Sequence, residues 1–337
     1  MIYVLVLCLL AFALPARAAG EHLWPVGQQD LPAAPIALEQ TADGPLLHLT
    51  DGSAWAVVWG EDAPLLTLAE PPLRETEPGM LPDGRIANGT GQIRRAWLAE
   101  PTEEYGHAIL GDGIEAKVLT VETADGAMLS FRASQGTVFE DLTPRLWDLD
   151  GDGEAEAWVI RSGPREGGRL EAYAVHQGEL ILRFATDPIG EGYRWLNPVG
   201  IADFTGDGQR EVALVQMPHI GGILTLYRPA GAHLERVMRL PGFSNHAIGS
   251  RALGLSWIGD IDGDGIADIL LPGQTRRELA AFSMADGSFR ILGATERTGH
   301  IETSFVELVP KSGAKRGGRV ILFADDTPSL RWLRLPE

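Results

Sequence analysis

Three stretches of this chain repeat one design: "DLDGDGEAEAWVI" from Asp148, "DFTGDGQREVALV" from Asp203 and "DIDGDGIADILLP" from Asp260, 55 and then 57 residues apart. A near-constant period implies one supersecondary unit copied along the chain, and it constrains the fold more than any single segment does. Each unit reads alike. A short apolar strand enters ("PRLWD", "PVGIAD", "SWIGD"), the acidic loop follows, and a second strand leaves ("AWVI", "VALV", "DILL"). A Gly/Pro-rich turn and a further strand come next ("RLEAYAV", "GILTLYR", "ELAAFSM"), and a hairpin closes the unit ("VHQGELILRF", "RPAGAHLERVMRL", "MADGSFRIL"). Short strands at regular spacing with Gly-rich turns predict an all-β fold.

Fainter copies extend the pattern. "SFVELVPKSGAKRGGRVILFADDTPSLRWLRL" (304–335) keeps strand, loop and strand, with Lys311, Lys315 and Arg316 in place of the acids. "LPDGRIANGTGQIRRAWLAE" (81–100) and "HLTDGSAWAVVWGE" (48–61) read as two more. Six units of roughly fifty residues predict a β-propeller of about six four-stranded blades, an architecture that leaves few exposed sheet edges because it closes on itself. The last unit is short, so a strand near "PIALEQ" (35–40) is expected to complete it. Seven blades is the alternative, if residues 21–47 supply more than one strand.

The loops carry oxygen ligands at alternating positions. Counting from the first Asp, positions one, three, five and nine hold Asp148, Asp150, Asp152 and Glu156; Asp203, Thr205, Asp207 and Glu211; Asp260, Asp262, Asp264 and Asp268. Calcium is a hard cation that takes six to eight oxygens, and the backbone carbonyl at position seven (Glu154, Gln209, Ile266) offers one more. Glycines at positions four and six are expected to take positive φ so that the loop bends around one point. Up to three Ca2+ ions are therefore expected. An EF-hand fails, because position twelve holds Val159, Leu214 and Leu271 where a bidentate Glu is needed, and the flanks read as strands.

"DLDGDGEAE" and "DIDGDGIAD" before short strands resemble the FG-GAP/VCBS repeat proteins, related to the calcium-binding blades of the integrin α-subunit propeller. The resemblance is strong over 144–285 and weaker over the rest of 45–335. It implies a propeller with calcium in loops on one face. It does not fix an activity, since members include adhesion modules and appendages on enzymes.

Residues 1–18 read as a secretory signal peptide, with an apolar core from Val4 to Leu14 and the small-x-small site Ala16-Arg17-Ala18. Residues 19–337 are then expected to form a single domain, periplasmic or secreted and monomeric. Cys8, the only cysteine, falls inside the leader, so no disulfide is available to the mature chain. With 46 acidic against 28 basic residues, nucleic acid is a poor partner. A protein or carbohydrate ligand is the expectation, bound without chemistry.

Three histidines stand in turns: His107, His219 and His246. With Asp112, Glu115, Arg165 and Arg251 they can line one polar surface, where a hydrolase or lyase would work; the competing reading is a set of hydrogen-bonded turn residues. No HExxH is present, and "GLSWIG" misses the GxSxG elbow, which leaves Ser256 a structural role. Trp55, Trp97 and Trp158 fall at similar places after their loops and are expected to pack between blades.

Overall fold

The computed structural model describes residues 23–308 and 318–336. Residues 1–18, expected to be a signal peptide, and the basic stretch around Lys311, Lys315 and Arg316 lie outside the described residues. The fold is all-β, with one three-residue 3-10 turn at Ala285–Gly287. Among the described residues no helix is long and apolar enough to cross a membrane.

The strands form antiparallel meanders in chain order. Sheet one comprises Pro35–Thr41, Gly44–Leu49, Ala54–Trp59 and Pro64–Ala69. Sheet two comprises Ala87–Asn88, Ile93–Thr102, Glu115–Thr123 and Met128–Arg132. Sheet three comprises Arg145–Trp147, Glu156–Gly163, Gly167–His176 and Glu179–Ala185. Sheet four comprises Leu196–Ala202, Glu211–Gln216, Ile223–Ala230 and His233–Pro241. Sheet five comprises Trp257–Gly259, Asp268–Pro272, Leu279–Ser283 and Arg290–Thr295, with Leu23–Trp24 added in parallel at its outer edge. Sheet six comprises Val306–Leu308, Val320–Ala324 and Ser329–Arg334, with Val26–Asp30 as its outer strand. Sheets two, three and four are joined by Val138–Phe139, which pairs with strands of two and three, and by one parallel contact between Ala185 and His233.

Neighbouring sheets bury their apolar faces against each other. Leu38, Leu47 and Val57 of sheet one share a cluster with Val320, Leu322 and Leu330 of sheet six. Sheets five and six meet through Leu270, Leu279, Ile321 and Phe323, sheets four and five through Leu224, Leu226, Ile269 and Phe282. The largest cluster runs from sheet two through three into four. A cavity of about 750 Å³ is lined by Leu38, Arg85, Trp147, Val199, Ser256 and Phe305 among others, each in or just before the first strand of a different sheet. Meanders whose first strands share one cavity have the architecture of a propeller.

Two sequence expectations are corrected here. The strand that completes sheet six is Val26–Asp30, paired with Ser329–Arg334; Pro35–Thr41 is the innermost strand of sheet one. Residues 48–61 are a hairpin between the second and third strands of sheet one, not a copy of the acidic loop, because Asp51 and Gly52 turn the chain directly from one ladder into the next. Trp55 consequently sits on a third strand, whereas Trp97 and Trp158 sit on second strands and are buried. The stretch 81–100 does occupy the expected place, with residues 89–92 joining the first and second strands of sheet two.

Candidate functional site

Each acidic loop joins the first and second strands of its sheet, so all three lie at one end of the ring. Their geometry is nearly superimposable. Asp148 accepts from Gly151 N at 2.7 Å and Gly153 N at 3.1 Å. Asp203 does the same with Gly206 and Gly208 at 2.7 and 2.8 Å, and Asp260 with Gly263 and Gly265 at 2.7 and 3.0 Å. The fifth-position acids accept from the seventh-position amides of Glu154, Gln209 and Ile266 at 2.8 to 3.0 Å. Both glycines of every loop have positive φ, between 73° and 91°. That conformation strains any residue with a Cβ, which is why glycine recurs there.

The ninth-position carboxylates are buried under their loops and accept from Leu149, Phe204 and Ile261 amides. Burial, with the charges of Asp150 and Asp148 added, pushes the Glu156 carboxyl up to about 7. Burial and the Asp262 charge push Asp268 up to about 6. Asp268 Oδ1 is buried without a hydrogen-bond partner; the Ser283 hydroxyl eases the carboxyl without bonding to it at normal geometry. A buried carboxylate oxygen without a partner, on a residue grouped with two further acids, suits a cation.

Ligand atoms of Asp148, Asp150 and Asp152 lie within 4.8 Å of one another, as do those of Asp203, Asp207 and Glu211 and of Asp260, Asp262 and Asp268. These three groups can hold a metal ion. Glu156 in the first loop and Asp264 in the third stand outside the tight groups, whereas the second loop gathers all three of its acids. The loops also interlock. Glu154 accepts from Gln92 N of sheet two at 2.6 Å, Arg210 donates to Asp148 O at 2.5 Å, and Ile266 covers Gly206.

The opposite end carries the histidines. His107 and His219 stand in turns between second and third strands, and His246 in the connection from sheet four to five. His219 Nε2 lies 2.9 Å from His246 Nδ1, and His246 Nε2 donates to Ser250 O at 2.9 Å. Trp195 stacks on His219 and donates to Glu140 O, while His107 Nδ1 lies 2.6 Å from Glu140 Oε1. Burial, and secondarily Arg276, lowers His219 to about 4; burial and His219 lower His246 to about 3, so both rings are neutral at neutral pH. Burial and the Glu140 charge raise Glu115 to about 7, and Glu140 is itself raised by burial. Tyr105 and Tyr193 stack at 5.1 Å with His107 set edge-on against both. Four of the non-glycine residues with positive φ (Ala108, Tyr193, Met217 and Arg276) flank this cluster. Strain of this kind concentrates at functional sites.

Of the surface expected from sequence, His107, Glu115, His219 and His246 come together, and Arg251 bridges Asp112 and Asp83 at the cavity mouth. Arg165 is exposed and makes no hydrogen bond with the cluster among the described residues. Glu140, Trp195 and Tyr193 were not singled out from sequence. They lie on connections between sheets and carry no motif.

No family model matches the chain, and no curated protein matches it. Among solved structures it is similar to the exotype rhamnogalacturonan lyase YesX, at 15% identity and a TM-score of 0.42 over 88% of this chain and 64% of the lyase. It is also similar to the WD40 domain from Toxoplasma gondii coronin, at 10% identity and a TM-score of 0.41 over 94% of this chain and 88% of that domain. The chain thus spans less than two thirds of the lyase's length.

Proposed function

We propose that this chain is an exported six-bladed β-propeller of FG-GAP/VCBS type, braced by calcium in its acidic loops, that binds a protein or glycan without chemistry. The observation that carries the reading is the repeated oxygen cage, above all Asp268, which is grouped with Asp260 and Asp262 and has a buried Oδ1 without a hydrogen-bond partner. The six-blade count is supported by first strands gathered around one cavity and by the core shared by sheets one and six. Calcium suits the loops better than magnesium, which keeps its waters and a strict octahedron. Extracellular-type sites have Kd of about 10⁻⁴ to 10⁻³ M, so millimolar calcium stabilises by roughly 0.4 to 1.4 kcal/mol per site. Calorimetric titration of the chelator-stripped mature chain should give calcium binding at sub-millimolar affinity and little heat from magnesium. Absence of calcium heat would end the reading.

A second reading, a hydrolase or lyase, is favoured by the convergence of His107, His219 and His246 with Glu140 beside strained backbone. A carboxylate that holds Nδ1 leaves Nε2 of His107 as a general base. Incubation with polysaccharides and peptides separates the two: cleavage lost in His107→Gln supports the enzyme, and retention without turnover supports the binding module.

A further inference from the structure

The three acidic loops differ most in what stands on the strand beside them. The ladders pair Ala157 with Tyr173, Val212 with Tyr227 and Ile269 with Phe282. One residue further along each pair, the ninth-position acids Glu156, Glu211 and Asp268 face Ala174, Arg228 and Ser283. Two of these neighbours are small. The third is a long cation.

Arg228 reaches into its loop with a single nitrogen. Nη2 donates to Thr205 Oγ1 at 3.0 Å, lies 2.9 Å from Asp207 Oδ2, and pairs with Glu211 Oε1. Those are the oxygens of positions three, five and nine, which a calcium ion in this loop would need for itself. The exposed arginines beside the other two loops behave differently. Arg183 pairs with Asp150 at 2.7 Å, Arg290 with Asp262 at 2.7 Å and Asp264 at 3.8 Å, and Arg210 with Asp148 at 3.3 Å, and none of the three pairs with a ninth-position acid. Thr205 fits the same account, because a guanidinium brings one positive charge where calcium brings two, and this loop has one acid fewer.

We infer that the loop of sheet four is a cation site filled by the protein's own Arg228, so that the chain takes two calcium ions, in the loops of sheets three and five, and not three. The inference rests on the calcium reading above, and the experiment keeps the two apart. The stripped mature chain is dialysed against millimolar calcium and the metal bound per chain is counted by atomic emission. Two ions are expected. Three would overturn the inference and leave the calcium reading standing; none would overturn both. The double variant Asp150→Ala plus Asp262→Ala should bind none, and one remaining ion would overturn the inference. Arg228→Ala combined with Thr205→Asp should create the third site. A folded protein of this kind that still binds two ions would overturn it as well, and if this variant fails to fold, the Asp150/Asp262 pair decides alone.

Discussion

The two ends of this ring solve the problem of buried charge in opposite ways. At the loop end, acids are gathered within one short segment, and the charge is met from outside the carboxylates: by Arg228 in sheet four, and by calcium, on our proposal, in sheets three and five. At the histidine end, charge is suppressed. His219 and His246 are held neutral by burial, and Glu115 is driven toward its protonated form. The first strategy makes stability depend on ions, the second on protons. Local sequence can encode the first. The second needs several connections from different sheets.

The largest expected effect is at the histidine end. Trp195 is fully buried, stacks on His219 and donates to Glu140 O, so Trp195→Ala should cost about 3–5 kcal/mol in denaturant unfolding. The calcium affinity of the folded fraction should not change. Acid comes next. The His219 and His246 values lie below an unfolded value near 6.5, so the unfolded chain binds protons first as pH falls. The contribution of these two histidines is then fully present above about 6.5 and is lost progressively as pH drops towards 3. The raised carboxyls of Glu115, Glu140, Glu156 and Asp268 act in the opposite sense in the upper part of that window, so the histidine contribution is read as the difference between melting curves of the unaltered chain and His246→Asn, which should widen towards acid pH.

At the loop end, Arg228→Ala strands the buried Glu211 carboxylate and should cost about 2–3 kcal/mol, less than a fully buried pair because Arg228 is partly exposed. The double change Asp150→Ala plus Asp262→Ala should remove the calcium-dependent part of the melting temperature, roughly 1–3 kcal/mol at millimolar calcium, while leaving the calcium-free protein nearly unchanged. The smallest effect belongs to Arg183→Ala and Arg290→Ala. Their exposed pairs should contribute under about 1 kcal/mol each, and a larger loss would mean that they, like Arg228, stand in for an ion.

The difference between the ends also explains what could be read in the sequence. Ligands, bend and following strand of each acidic loop lie within thirteen consecutive residues, and the positive φ of Gly151, Gly153 and their counterparts follows from that spacing. The strands of sheets three to five were equally legible, because apolar runs and turns recur in register with the loops. Sheet one was not. Its Asp51-Gly52 hairpin imitates a worn loop, and the closing strand "VGQQD" lacks the apolar alternation that would mark it, since its outer position buries little. Arg228 left a signal that went unread. It follows Tyr227 where Ala174 follows Tyr173 and Ser283 follows Phe282, so alignment of the third strands exposes it as the odd member. The histidine end left almost none, because Glu140, Tyr193, Trp195, His219 and His246 meet only once the sheets are in place.

The central claim is that calcium braces the ring through its acidic loops. The most direct test is the melting temperature of the chelator-stripped protein as calcium is raised to millimolar levels, with magnesium as the control. A rise of several degrees with calcium, absent with magnesium and absent in the Asp150→Ala plus Asp262→Ala protein, is the predicted result. A melting temperature indifferent to calcium in the unaltered chain would contradict it and leave the loops as acidic turns.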